Sequence, residues 1–181
     1  FEPGLSYALI ERLEHHIVAE DVQVVDVAPH YGLLSLQGPR AAEVIARLDL
    51  FPTLPETALQ FVAAGSATLG ELYLIHRSRA GVPGFDLFVP ADSQEAVFDR
   101  AVAAARELGG RAAGFEALDL ARFEAGIPRF PVDMDESNLP PETGMDRGAI
   151  SYTKGCYTGQ ETIARIRTYG QVTKALRGLR L

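Results

Sequence analysis

Residues 32–48 read GLLSLQGPRAAEVIARL, and the change of pattern at Gly38-Pro39 decides the fold class. Residues 32–38 are β-rich and read as a strand. Pro39 stands at the start of RAAEVIARL, where its missing N–H costs nothing, so a helix is expected to begin there. A second strand candidate, VQVVDVA (22–28), precedes this pair across the turn signal Pro29-His30-Tyr31-Gly32. The order is strand, strand, helix.

The same order recurs downstream. Strands are expected at 72–75 and 85–89, joined by RAGVPG (79–84), and SQEAVFDRAVAAAREL then predicts a helix over about 93–108, ended by Gly109-Gly110. The repetition predicts an α+β fold of antiparallel sheets with helices on one face, near ferredoxin-like architecture. Upstream, SYALIERLEHHIV places Tyr7, Leu9, Ile10, Leu13 and Ile17 on one helical face, with Ser6 near its cap. A further helix is expected over 115–125, where Phe115, Leu118 and Phe123 share a face. From 128 to 148 four prolines, Pro128, Pro131, Pro140 and Pro141, stand among acidic residues. This reads as a long ordered loop, and loops of that length tend to be functional.

Composition narrows the function classes. In 181 residues, 47% hydrophobic and 23% charged content suits a globular chain, and no apolar run approaches the ~18 residues of a membrane span. A single cysteine excludes an internal disulfide framework and fits a reducing compartment, the cytoplasm or an organelle matrix. The chain opens at Phe1 and closes on the strand-like basic run KALRGLRL, so it is read as a piece truncated at both ends. From Ser151 onward six cations (Lys154, Arg165, Arg167, Lys174, Arg177, Arg180) face Glu161 alone, a net of +5 in a chain of net charge −7. That asymmetry suits an anionic ligand at the C-terminal end, or a solvated strand face.

Two constellations carry chemistry. KGCYTGQE (154–161) sets the only thiol, Cys156, two residues after Lys154, whose ammonium favours the nucleophilic thiolate. Gly155 and Gly159 allow close backbone approach or positive φ. A small buried structural thiol fits the same pattern. LDLARFEAGIP (118–128) sets Asp119 and Arg122 three apart on a helix, spaced to pair, with Glu124 among apolar neighbours. A carboxylate there needs a donor partner. Either Arg122 or Arg129 supplies it, or a flat heterocycle presenting two parallel N–H groups, as a pterin does. The histidines (15, 16, 30 and 76) have no metal-ligand spacing, so no metal site is expected. Asp133, Asp135, Glu136, Glu142 and Asp146 lack calcium-loop spacing and read as surface charge.

Together these segments resemble the glycine cleavage T-protein (aminomethyltransferase) superfamily, and within it the YgfZ-like branch, implicated in iron–sulfur cluster assembly and repair. LLSLQGPRA (33–41), GVPGFDLFVP (81–90), DLARFEAGIP (119–128) and KGCYTGQE occur in the family's order at about its spacing, over nearly the whole chain. The octet is the branch's own signature. In the aminomethyltransferases the corresponding place reads more like F-x-G-K, without the cysteine.

The resemblance implies a three-part ring around a cavity holding tetrahydrofolate or another reduced folate. Glu124 would grip the pterin, Arg122 and Asp119 would flank it, Tyr157 and Gln160 would join the folate set, and Cys156 with Lys154 would form a reactive thiol. It further implies that 1–48 is the remainder of a first α+β subdomain, 49–128 a second, ferredoxin-like one, 129–170 a functional loop, and 171–181 the start of a truncated β-barrel. Where the transferase carries an aspartate, near the start of the first helix, this chain has Ala8, and none of residues 5–10 is acidic. The implied role is thus a folate-binding factor supporting iron–sulfur enzymes or their assembly proteins, without the acid that aminomethyl transfer needs. The alternatives are an aminomethyltransferase acting with a lipoyl carrier protein, and a non-catalytic module binding proteins or nucleic acid through the basic C-terminal stretch.

Overall fold

The computed structural model describes residues 4–170 and 172–177, with the side chains of Asp146 and Arg147 outside that set. Two compact units divide between Ala125 and Gly126. The first opens with helix α1 (Ser6–Glu14) and a 3-10 turn (Ala28–His30). Strand β1 (Tyr31–Gln37), helix α2 (Ala41–Leu48), strands β2 (Phe61–Ser66), β3 (Gly70–His76) and β4 (Gly84–Pro90), and helices α3 (Gln94–Glu107) and α4 (Phe115–Glu124) follow. The strands form one antiparallel sheet in the order β1-β4-β3-β2. The fold is α+β, as the sequence predicts.

The order of elements differs from strand, strand, helix twice over. Residues 22–27 form no strand, and Ala28 opens the 3-10 turn. β-propensity expresses fit to a half-buried pleat, and Val22, Val25 and Val27 are all more than half exposed. β2 supplies the strand that the sequence reading lacked. Pro39 lies in the turn before α2 rather than inside it, and Leu5 rather than Ser6 caps α1. β1 pairs with β4 along its whole length, from Tyr31↔Pro90 to Gln37↔Gly84. One sheet therefore runs across the expected boundary at residues 48 and 49.

The core lies on one face of that sheet. Strand alternation turns Leu72 and Leu74 of β3 and Phe85, Leu87 and Val89 of β4 the same way. Helix spacing sets Ala41, Val44, Ile45 and Leu48 of α2, and Val97, Ala101 and Ala104 of α3, against them. Gly109, at φ +81°, closes α3, and the Gly110 N–H donates to the Ala105 carbonyl at 2.7 Å.

The second unit is built of turns, a 3-10 turn (Pro140–Thr143), the short helix α5 (Asp146–Ala149) and helix α6 (Gln160–Tyr169). α6 falls inside the span 129–170 read as loop. Glu142 departs from its reading as surface charge. It is buried, its carboxylate accepts the Leu139 N–H at 3.0 Å, and its carbonyl accepts the Leu176 N–H at 2.9 Å. Asp135 is held below the usual carboxylate range by the Ser137 hydroxyl and then its backbone N–H, at 2.6 and 2.8 Å. Of the expected barrel start, residues 172–177 form no strand, and 171 and 178–181 lie outside the described residues.

On the sheet face opposite the core, β4 carries Asp86, only 1% exposed. Its carboxylate accepts two bonds from Arg79 Nε (2.8 and 3.0 Å) and one from the Ser35 hydroxyl (2.8 Å), while Arg79 Nη2 lies 2.8 Å away. Gln37 extends the network, donating to Ser35 Oγ and to the Arg77 carbonyl and accepting the Arg79 N–H at 2.8 Å. These bonds fasten loop 77–83, between β3 and β4, to the end of β1. Asp86→Ala is expected to lower unfolding free energy by about 2–3 kcal/mol, below the fully buried case because Arg79 is 25% exposed. Ser35→Ala should cost about 1 kcal/mol. Urea denaturation of both variants tests this, and equal losses would deny the carboxylate its anchoring role.

Candidate functional site

Glu124 is the last residue of α4. Five residues before it, Asp119 accepts Arg122 Nε at 2.7 Å, and the Arg122 guanidinium lies 4.3 Å from the Phe123 ring centroid. The i, i+3 pair predicted from the sequence forms, and Arg122 is buried. Glu124 forms no hydrogen bond or ion pair among the described residues, so neither Arg122 nor Arg129 is its partner. It is exposed, as are Phe123 and Ala125. The expectation of a desolvated carboxylate is thereby corrected: the group keeps its hydration, and all its acceptor positions are available to an incoming donor pair.

The end of α4 meets loop 77–83. Gly81 sits at φ +71°, and a Cβ built on it would come within 2.6 Å of the Ala125 Cβ. Only a glycine fits, on two counts: the left-handed backbone and the closeness of Ala125. GVPGFDLFVP and DLARFEAGIP, read separately in the sequence, therefore touch beside Glu124. The signal available in the sequence was the charge of Asp86 in an otherwise apolar strand, which demands a buried partner.

The octet 154–161 belongs to the second unit. Gly159, at φ +85°, caps α6, and Tyr157 and Gln160 close the turn reciprocally. The Tyr157 N–H donates to Gln160 Oε1 at 3.1 Å, and the Gln160 N–H donates to the Tyr157 carbonyl at 3.2 Å. Gln160 thus spends its side chain on the turn. Cys156 is exposed, which removes the reading as a buried packing residue. Lys154 Nζ lies 4.8 Å from the Tyr157 ring centroid, and the Lys154 N–H donates to Ser151 Oγ at 3.3 Å. Beside the octet an open groove of about 540 Å³ is lined by Ser151, Tyr152, Lys154, Tyr157, Glu161 and Arg167, among others. Arg167 packs its guanidinium 4.3 Å over the Tyr152 ring. The sequence reading counted Arg167 among the C-terminal cations but missed Tyr152 and the stacking between them, which depends on α6. Among the described residues no cluster of three His, Cys, Asp or Glu is arranged to hold a metal, and no helix is long and apolar enough to cross a membrane.

Comparison with known proteins agrees with this picture. The family profile of the GCVT N-terminal domain matches residues 5–154. A protein named aminomethyltransferase from Symbiobacterium thermophilum is 28% identical over 158 residues, 85% of this chain and 42% of its own length. One from Mycobacterium avium is 29% identical over 178 residues, 96% and 46%. A third, from Geobacillus kaustophilus, is 29% identical over 154 residues, 84% and 42%. The chain spans less than half the length of these curated relatives.

Two outcomes are expected. Gly81→Ala should lose more stability in urea than Gly109→Ala, because both replace a left-handed glycine, at about 1–2 kcal/mol each, but only Gly81 has a neighbour within 4 Å. Equal losses would mean that the Ala125 contact carries nothing. Iodoacetamide should modify Cys156 in the folded chain about as fast as in urea, since the thiol is exposed. Protection in the folded state would contradict the described position.

Proposed function

The chain belongs to the GCVT N-terminal domain family, and from that membership we propose that it is the folate-binding part of a YgfZ-like protein that supports iron–sulfur enzymes in a reducing compartment. The observation that carries the folate reading is Glu124. Its neighbour Arg122 is engaged by Asp119, so among the described residues the carboxylate at the end of α4 has no cation partner, and it is open to solvent. A carboxylate in that condition accepts two parallel N–H groups in bidentate fashion, the arrangement a pterin edge presents. The residues present therefore fit the cofactor. A bound reduced folate supplies a nitrogen able to carry a one-carbon unit, and this chain's part is to orient the heterocycle.

The branch assignment is supported by two stretches. The octet KGCYTGQE carries an exposed thiol where the transferases are expected to have none. Residues 5–10, at the start of α1, contain no acid to assist transfer at the folate nitrogen. In this reading Cys156 is the group offered to a partner, with Lys154 as the nearby charge, and Tyr157 and Gln160 hold the turn that presents it. A second reading is favoured by the names of the relatives, all three of which are called aminomethyltransferase. It makes the full-length protein a tetrahydrofolate-dependent transferase.

Calorimetry on the full-length protein separates these. Glu124→Ala is expected to weaken tetrahydrofolate binding by about 10- to 100-fold, the loss typical of hydrogen bonds to a charged group. Unchanged affinity would remove Glu124 from the pterin site. Ammonia release from an aminomethylated carrier protein, dependent on tetrahydrofolate, would establish the transferase and overturn the assembly role.

A further inference from the structure

The groove beside the octet holds two cations that have no carboxylate partner among the described residues. Lys154 lies over Tyr157 and Arg167 over Tyr152, at 4.8 and 4.3 Å. A ring face attracts a cation electrostatically but occupies none of its hydrogen-bond vectors, so the donors of the ammonium and guanidinium remain free for another ligand. Glu161 lines the same groove and forms an ion pair with neither. The Ser151 hydroxyl accepts the Lys154 N–H and keeps its own proton to donate. Stacking also fixes both side chains in place, which reduces the ordering entropy that a ligand would otherwise have to overcome.

Charge and size then define the ligand. Between 151 and 177 the cations Lys154, Arg165, Arg167, Lys174 and Arg177 face Glu161 alone, in a chain whose net charge is −7. A local positive site on an acidic protein concentrates anions there. The volume of about 540 Å³ lies within the ~300–1,000 Å³ of small-molecule sites and far exceeds one inorganic ion. We propose that the groove formed by Lys154, Tyr157, Tyr152 and Arg167 binds a small organic oligocarboxylate, one carboxylate meeting the ammonium of Lys154 and another the guanidinium of Arg167. This proposal does not rest on the folate reading.

The test uses the full chain, tri-L-glutamate as the probe, and titration calorimetry at two salt concentrations. Lys154→Ala and Arg167→Ala should each weaken binding about 2- to 5-fold, and the double variant roughly 10-fold, the scale of exposed charge pairs. Raising the salt should weaken it further. Glu161→Gln should tighten binding about 2- to 5-fold by removing the opposing carboxylate, a gain that misfolding cannot produce. Inorganic phosphate should compete poorly, because it offers one compact anionic group where the probe offers several carboxylates. The proposal fails if Glu161→Gln leaves the affinity unchanged, if neither cation matters, or if phosphate displaces the probe at equal concentration.

Discussion

A buried carboxylate governs the first unit. Asp86 is out of water on the sheet face away from the core, and a lone charge there would be costly, so it fixes whatever satisfies it. Arg79 does so through a bidentate grip from a loop, and Ser35 through a hydroxyl from the neighbouring strand. Loop 77–83 is thereby held rigid between β3 and β4. Gly81, two residues beyond Arg79, lies against Ala125, the residue after Glu124. The position of the candidate pterin-binding carboxylate thus traces back, through one loop, to a charge in the middle of a strand. Nothing in that chain of contacts involves the hydrophobic core, which occupies the other face.

The elements legible in the sequence are those whose apolar spacing is also their burial pattern. α3 is legible because Val97, Ala101 and Ala104 are both periodic and buried, and β4 because Phe85, Leu87 and Val89 alternate into the core. β2 was not legible because FVAAGS is poor in β-formers and lies at the sheet edge, where pairing with β3 alone suffices. Residues 22–28 gave the opposite error, since valines favour a strand only where a sheet receives them. α6 escaped because its polar sequence buries only Ile163 and its cap is a left-handed glycine rather than a serine or aspartate.

The site was legible to the same degree. Spacing along a helix is a local property, so the Asp119–Arg122 pair could be read directly. Which carboxylate stays unpaired is not local. Once Arg122 is committed to Asp119, Glu124 is left without it, and only the folded structure shows that no other cation among the described residues takes its place. Likewise the sequence sets Lys154 near Cys156, but only the fold shows the ring of Tyr157, three residues on, under the ammonium, with Gln160 closing the turn that follows.

The match to the GCVT N-terminal domain ends at Lys154, the first residue of the octet. The matched span thus holds the sheet, its helices, Asp86, Glu124 and the groove's Ser151, Tyr152 and Lys154, whereas Cys156, the Gly159 cap and Arg167 follow it. In the proposed reading, the folate-binding carboxylate and the octet belong to different compact units. The carboxylate is positioned by a loop, and the octet's turn borders a polar groove whose cations Lys154 and Arg167 stack on rings. A pair of cations neutralised by carboxylates would make that turn inert scaffolding. Held over tyrosines, they keep their donors, and a surface of that kind is suited to recognising an anion.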